Sequence, residues 1–267
     1  MHRIPIYQID AFADQVFGGN PAAVCPLGDW LSDETLQAIA AENNLSETAF
    51  LIPGRDPVPL RWFTPRLEVK LCGHATLASA FVLFEFLEPG REVVTFETMS
   101  GRLVVTRDGD WLTMDFPSIG SARIEDADVP PALLEGLGLD PEEVRMTDDD
   151  WNYIAVLSDE EAVTGLRPDF GLIEQVHPHG VAVTAPGRSV DFVSRYFVPG
   201  YGIPEDPVTG SIHCALAPYW AERLGRGRLE AEQRSSRGGR LDIRVGGERV
   251  HLTGRAVTYM TGEITIV

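Results

Sequence analysis

Apolar and polar side chains alternate over residues 4–12, the pattern of a half-buried strand. Over Asp33–Asn43 the period changes: Leu36, Ile39 and Ala40 recur at helical spacing behind Ser32, a capping residue, so a helix is predicted. A second helix is predicted over residues 74–86. There Ala75, Leu77, Ala78, Ala80, Phe81, Val82 and Leu83 leave almost no polar face, as expected of a helix enclosed by sheet. A third is predicted over residues 210–224. Strand-like segments surround the two longer helices, at 93–98, 102–106 and 111–116, then at 181–185, 192–197, 241–245, 250–253 and 256–266. Each half therefore reads as a sheet wrapped around one helix, an α+β organisation. Residues 117–131, with their Ser, Gly, Asp and Pro, predict the connection. The expected division is an N-terminal half over 1–117, a linker over 118–131 and a C-terminal half over 132–267, with terminal strands crossing between halves.

The halves also resemble each other. Arg61-Trp62-Phe63-Thr64-Pro65, followed by Cys72-Gly73-His74-Ala75-Thr76, lies over Arg195-Tyr196-Phe197-Val198-Pro199, followed by Asp206-Pro207-Val208-Thr209-Gly210. The offset is 134 (195 minus 61) without a gap, and it pairs Cys72 with Asp206. Ser100-Gly101-Arg102-Leu103 then matches Gly238-Gly239-Arg240-Leu241 at an offset of 138 (238 minus 100), so an insertion of four residues is expected between the two matches.

Composition narrows the classes of function. In 267 residues, 22 Lys and Arg face 40 Asp and Glu, a net charge of -18 with no segregated basic patch, which argues against a nucleic-acid partner. If the substrate is an anion, the positive potential that holds it must be local. The longest clearly apolar run, residues 75–84, stops at Glu85, and no signal-like segment opens the chain, so no membrane partner is expected. Cys25, Cys72 and Cys214 are odd in number and lack metal-like spacing, which fits a reducing compartment, the cytoplasm by default. His2, His177, His179 and His251 form no ligand spacing, and His213 and Cys214 fall inside the third helix, where core packing is the expected role; no metal is expected.

Three segments carry candidate chemistry. In Asn43-Asn44-Leu45-Ser46-Glu47-Thr48-Ala49-Phe50 a carboxylate opens an apolar strand, where lost hydration suits proton transfer. Read alone, the segment favours a solvated loop carboxylate. In Leu71-Cys72-Gly73-His74 a glycine precedes an apolar helix, whose unpaired N–H groups can hold an anion while His74 supplies a proton; a simple cap with a structural histidine fits equally. Glu205-Asp206-Pro207-Val208-Thr209-Gly210-Ser211 again precedes the long helix of its half, with hydroxyl and backbone donors at Thr209, Gly210 and Ser211 and a carboxylate at Asp206. The expected arrangement is two helix starts from equivalent positions facing one small anionic substrate. Gln233, Ser235, Ser236, Arg237, Gly238 and Gly239 read as a turn, with Arg237 a candidate carboxylate clamp.

Together these motifs are recognisable. Asp10-Ala11-Phe12, Gly18-Gly19-Asn20-Pro21-Ala22, Asn44-Leu45-Ser46-Glu47-Thr48-Ala49-Phe50, Cys72-Gly73-His74-Ala75-Thr76, Arg195-Tyr196-Phe197, Glu205-Asp206-Pro207-Val208-Thr209-Gly210-Ser211 and Arg237-Gly238-Gly239 closely resemble the PhzF-like phenazine-biosynthesis isomerase family. The resemblance covers nearly the whole chain. It implies the diaminopimelate-epimerase-like fold, two pseudo-symmetric halves each with a mixed, barrel-like sheet around a central helix, and a homodimer. It also implies isomerisation of a small carboxylic acid such as trans-2,3-dihydro-3-hydroxyanthranilate without metal or organic cofactor. Glu47 would carry the proton, and Gly73, His74, Asp206 and Ser211 would line the pocket, with Gly210, Thr209, Cys72 and Arg237 as further candidates. Two other readings remain. An amino-acid racemase would use Cys72 as a base, although a symmetric thiol pair is ruled out because the counterpart position holds no cysteine. A non-catalytic protein that binds small acids would keep the fold without turnover.

Overall fold

The computed structural model describes residues 2–177 and 179–266. Its first eight strands are β1 (His2–Ala11), β2 (Asn20–Pro26), β3 (Glu47–Leu51), β4 (Val58–Phe63), β5 (Glu68–Val69), β6 (Val93–Thr98), β7 (Gly101–Asp108) and β8 (Trp111–Pro117). Helix α1 (Asp33–Asn43) lies between β2 and β3, and α2 (Gly73–Val82) between β5 and β6. There follow β9 (Ser121–Arg123), α3 (Pro131–Leu137), β10 (Glu143–Thr147), β11 (Asn152–Val156), α4 (Glu160–Gly165), α5 (Phe170–Ile173), β12 (Gly180–Pro186), β13 (Phe192–Val198) and β14 (Ile203–Asp206). The chain ends with α6 (Gly210–Leu224), β15 (Arg228–Gln233), β16 (Gly239–Gly246), β17 (Arg249–Gly254) and β18 (Ala256–Ile266).

Two compact units result, one of Met1–Asp115 with Thr253–Val267, the other of Phe116–Leu252. In the first, β18 returns to pair antiparallel with β1 along its whole length. Residues 118–131, expected as a linker, lie in the second unit, where β9 pairs antiparallel with β10. Among the described residues no helix is long and apolar enough to cross a membrane.

Strands β2 and β3 of the first unit are buried on both faces, which explains their short, continuous apolar runs. Successive side chains point to opposite faces of a strand. Ala23 and Cys25 of β2 join Ile4, Ile6, Phe50 and Phe63 in one cluster with Leu36, Ile39 and Ala40 of α1. Their neighbours Ala22, Val24, Ala49 and Leu51 are also fully buried and face the other way, the side left for α2. Nine of the ten residues of α2 are buried, so the nearly all-apolar pattern has its expected cause. α1 begins at Ser32, whose side chain accepts from the Thr35 backbone N–H, and ends at Asn44 in the left-handed conformation. After Val82 the α-helix gives way to a π-helical turn over Leu83–Leu87, where a continuous helix was expected.

The duplication is visible in strand pairing. The first unit runs β1–β2–β3–β4–β6–β7 with β2–β3 and β4–β6 parallel; the second runs β10–β11–β12–β13–β15–β16 with β11–β12 and β13–β15 parallel. Arg61 forks onto Glu68 at 2.6 and 2.7 Å and lies over Phe63, as Arg195 forks onto Glu205 at 2.7 and 2.9 Å and lies over Phe197. Such bidentate pairs fix both partners in orientation.

This matched clamp corrects the gapless alignment. Arg61 and Arg195 stand 134 apart, but Glu68 and Glu205 stand 137 apart (205 minus 68), because the second unit carries three more residues between the paired positions Phe197 and Glu205 than the first carries between Phe63 and Glu68. The counterpart of Cys72, the N-cap of α2, is therefore Thr209, the N-cap of α6, and not Asp206. Asp206 corresponds to Val69: each is opposite the aromatic residue, Tyr196 or Trp62, that follows the clamping arginine.

Gly19 bears on the placement of β2. It has φ +61°, and a Cβ there would lie 2.1 Å from the carbonyl oxygen of Ala11, the residue that pairs with Asn20. Gly19→Ala is expected to cost about 2 kcal/mol or more through strain and collision, read as a lowered Tm in thermal unfolding.

Candidate active site

In the first unit the starts of the parallel strands β2 and β3 and the start of α2 converge. Asn20 opens β2, Glu47 opens β3 opposite Ala22, and His74 occupies the first turn of α2. Glu47 Oε2 lies 3.1 Å from His74 Nε2, and the two side chains are only 14% and 5% exposed. The approach is an ion-pair contact out of line for a hydrogen bond, so the buried Oε2 has no aligned donor. On the other side of the ring, Asn20 Nδ2 is 3.1 Å from His74 Nδ1. An amide N–H donated to Nδ1 fits only the neutral ring with its proton on Nε2; the imidazolium carries a proton on Nδ1 too and needs the amide oxygen there. Cys72 Sγ stands 3.5 Å from Nδ1 and 4.0 Å from Nε2 of the same ring.

Burial, Glu47 and Cys72 compete at this ring. Burial pulls the His74 pKa down, but the negative charge of its neighbours outweighs it and holds the value well above the usual histidine range. We assign the upward shift to Glu47, because Cys72 is itself a thiol near neutrality: burial first, then the Glu47 charge, push its pKa up to about 11. A thiol so held is a poor nucleophile or base.

In the second unit Asp206 ends β14 and is buried, with Thr209 Oγ1 donating to its Oδ2. Gln233, fully buried at the end of β15, accepts from Thr209 N at 2.8 Å and donates to the Asp206 carbonyl at 2.7 Å, thereby tying the segment before α6 to the sheet. Gly210 opens α6, and Ser211 in its first turn is exposed. Ser235 Oγ donates to the Pro207 carbonyl at 2.8 Å and accepts from Gly238 N, so residues 234–238, Arg237 included, form the expected turn between β15 and β16. His213 is a core residue, as expected: its Nδ1–H donates to the Thr209 carbonyl at 2.7 Å, and burial depresses its pKa to about 4.

The units differ most at the Glu47 position. Ala49 pairs with Trp62 as Ala182 pairs with Tyr196, so the residue two before each, Glu47 or Gly180, is equivalent. A Cβ at Gly180 would lie 2.1 Å from the Tyr196 hydroxyl oxygen, which donates to Asn152 Oδ1 at 2.6 Å. The second unit thus carries no carboxylate there, and its space is filled.

Of the residues picked from sequence, the first unit brings Glu47, Cys72, Gly73 and His74 together, and the second brings Asp206, Thr209, Gly210 and Ser211 together. Asn20 was missed as a contact of His74; its signal was the left-handed glycine before it. Gln233 was read only as part of a turn. Sequence spacing also gave no hint that Glu47, Cys72 and His74 each offer a donor atom within 4.8 Å of the others.

Comparison with known proteins places this geometry in a family. The family model described as phenazine biosynthesis-like protein matches residues 9–262. An uncharacterized isomerase of Pseudomonas aeruginosa is 55% identical over 98% of this chain and 99% of its own. A crystal structure of a PhzF-family phenazine biosynthesis protein from Enterococcus faecalis superposes with a TM-score of 0.93 at 45% identity, over 99% of this chain and 100% of that one. A hydroxyproline epimerase from Agrobacterium vitis shares the fold alone, with a TM-score of 0.60 at 14% identity over 98% of this chain and 92% of its own. The fold is the diaminopimelate-epimerase-like one, and the chain belongs to the phenazine biosynthesis-like family.

Removing the Glu47 charge is expected to lower the His74 pKa, observable by NMR titration of the ring in Glu47→Gln. The sign follows from linkage. A raised folded pKa adds stability that is full below the unfolded value of about 6.5 and is lost as pH rises through the folded value. The loss in Tm on that alkaline limb should be smaller in Glu47→Gln than in the wild type.

Proposed function

We propose that the protein is a cofactor-independent isomerase that moves a proton within a small unsaturated or cyclic carboxylic acid, with Glu47 as the proton carrier. The observation that carries this reading is the buried Glu47 Oε2, which has a lone pair unclaimed by any aligned donor and an imidazole 3.1 Å away. A carboxylate held so can take a proton from a carbon next to the unsaturated acid and return it to another carbon of the same molecule. No electrons leave or enter, and the proton count is unchanged. His74, as the imidazolium, offsets the Glu47 charge before transfer and steadies the substrate's developing charge afterwards.

Gly73, His74, Asp206, Gly210 and Ser211 are proposed to hold the substrate, with Thr209 and Arg237 supporting. What supports this is local in each unit. Neither N-cap residue, Cys72 or Thr209, makes a side-chain capping hydrogen bond, which leaves first-turn donors for an anion. Similarity to the family makes trans-2,3-dihydro-3-hydroxyanthranilate the first compound to try.

The racemase reading has a thiol beside His74 in its favour. Against it, Cys72 has Thr209 as its counterpart and a pKa of about 11. We also propose a homodimer, supported by the exposed Phe17, Tyr259 and Met260, of which Phe17 and Tyr259 meet edge to face. Light scattering on the intact chain checks it, with Tyr259→Lys expected to shift the mass toward the monomer.

The decisive measurement is deuterium incorporation from solvent into carbon positions of a panel of small unsaturated acids, followed by NMR. Glu47→Gln should slow exchange and turnover by about 10²- to 10⁴-fold. Exchange at the wild-type rate in that variant would refute Glu47 as the carrier. Binding of an acid by the wild type with neither exchange nor turnover would favour a binding protein.

A further inference from the structure

Glu47, Cys72 and His74 present three different donor types, a carboxylate oxygen, a sulfur and an imidazole nitrogen, all within 4.8 Å of one another and all largely buried. Zinc in proteins takes N, S and O ligands at about 2.0–2.3 Å in a tetrahedron, so the edges between its ligand atoms run to about 3.3–3.6 Å. The Oε2–Nε2 edge is already 3.1 Å and the Sγ–Nε2 edge 4.0 Å. Sγ lies nearer Nδ1, at 3.5 Å, so closing the set requires Cys72 to turn about its side-chain torsion toward Nε2. One feature beyond the donor set favours an ion at this place. Glu47 Oε2 is buried without an aligned donor, so coordination breaks no directed bond of that atom.

We propose that Glu47, Cys72 and His74 form an inhibitory site for a thiophilic divalent cation of the zinc class, with the fourth position left to water. Binding releases the thiol proton of Cys72 and the Nε2 proton of His74 to solvent and puts sulfur, nitrogen and oxygen on one ion. The donor set selects against magnesium and calcium, which require oxygen ligands. Cys25 and Cys214, buried elsewhere, have no part in it. That the ion blocks the proton carrier rests on the function proposed above; binding itself does not, and is measured without turnover.

The test is a Co²⁺ titration of the full-length chain after chelator treatment, read in the visible and near-ultraviolet. Saturation at one Co²⁺ per chain with a thiolate-to-cobalt charge-transfer band, bleached by Zn²⁺ and unchanged by Mg²⁺, is expected. Cys72→Ser should abolish the band, Cys25→Ser should keep it, and Glu47→Gln and His74→Ala should each weaken binding at least about tenfold. Circular dichroism confirms that each variant is folded. If Cys72→Ser does not fold, loss of affinity in Glu47→Gln decides. Absence of the band in wild type, or its persistence in folded Cys72→Ser, overturns the proposal. With any acid the enzyme isomerises, substrate should compete with Zn²⁺; inhibition without competition would overturn the overlap with the proton carrier while leaving the cation site in place.

Discussion

A carboxylate and an imidazole held together out of water organise the first unit. Burying a charge is costly unless it is paired, so Glu47 and His74 are mutually required. Each is set by a different piece of chain, the start of β3 and the first turn of α2. Removing either side chain would leave the other charge buried without its partner. The pair therefore links the parallel strands to the central helix electrostatically as well as through packing. It also keeps a carboxylate oxygen next to a positive ring.

Around this pair the two units share a plan and differ in detail. Both use the same strand order, the same two parallel pairings and the same arginine–glutamate clamp beside an aromatic ring. The clamp fixes the strand hairpin before the long helix, and hence where that helix starts. Three extra residues in the second hairpin change what stands at each position: a valine in one unit answers to Asp206 in the other, and a cysteine to Thr209. In the second unit Gln233 binds both the Asp206 carbonyl and the Thr209 N–H, a role that no residue picked from the sequence had been given.

Much of this was legible in the chain itself. The all-apolar stretch before Glu85 announced an enclosed helix, Ser32 announced the start of α1, and β6 and β18 fell where alternation put them. Glu47 alone looked like a loop carboxylate, and its standing came from the company of the other motifs. What stayed hidden was contact at long range. Asn20 and His74 are 54 positions apart, and Thr209 and Gln233 are 24 apart; no local period records such meetings. The repeat was found, but its gap was put after the helix start because identities at Arg61 and Arg195 fix only one end of the hairpin. Locating the insertion took the hydrogen-bonded register at both ends.

Gly180 shows how a duplicated fold becomes committed. A glutamate introduced there would meet the Tyr196 hydroxyl and Asn152, so a second carboxylate could not arise by one substitution without a steric penalty. At least two changes would have to come together, and the first alone would lower fitness by damaging the fold. The hydroxyl that occupies this place thus acts as a ratchet: a carboxylate at both equivalent positions is closed to single steps.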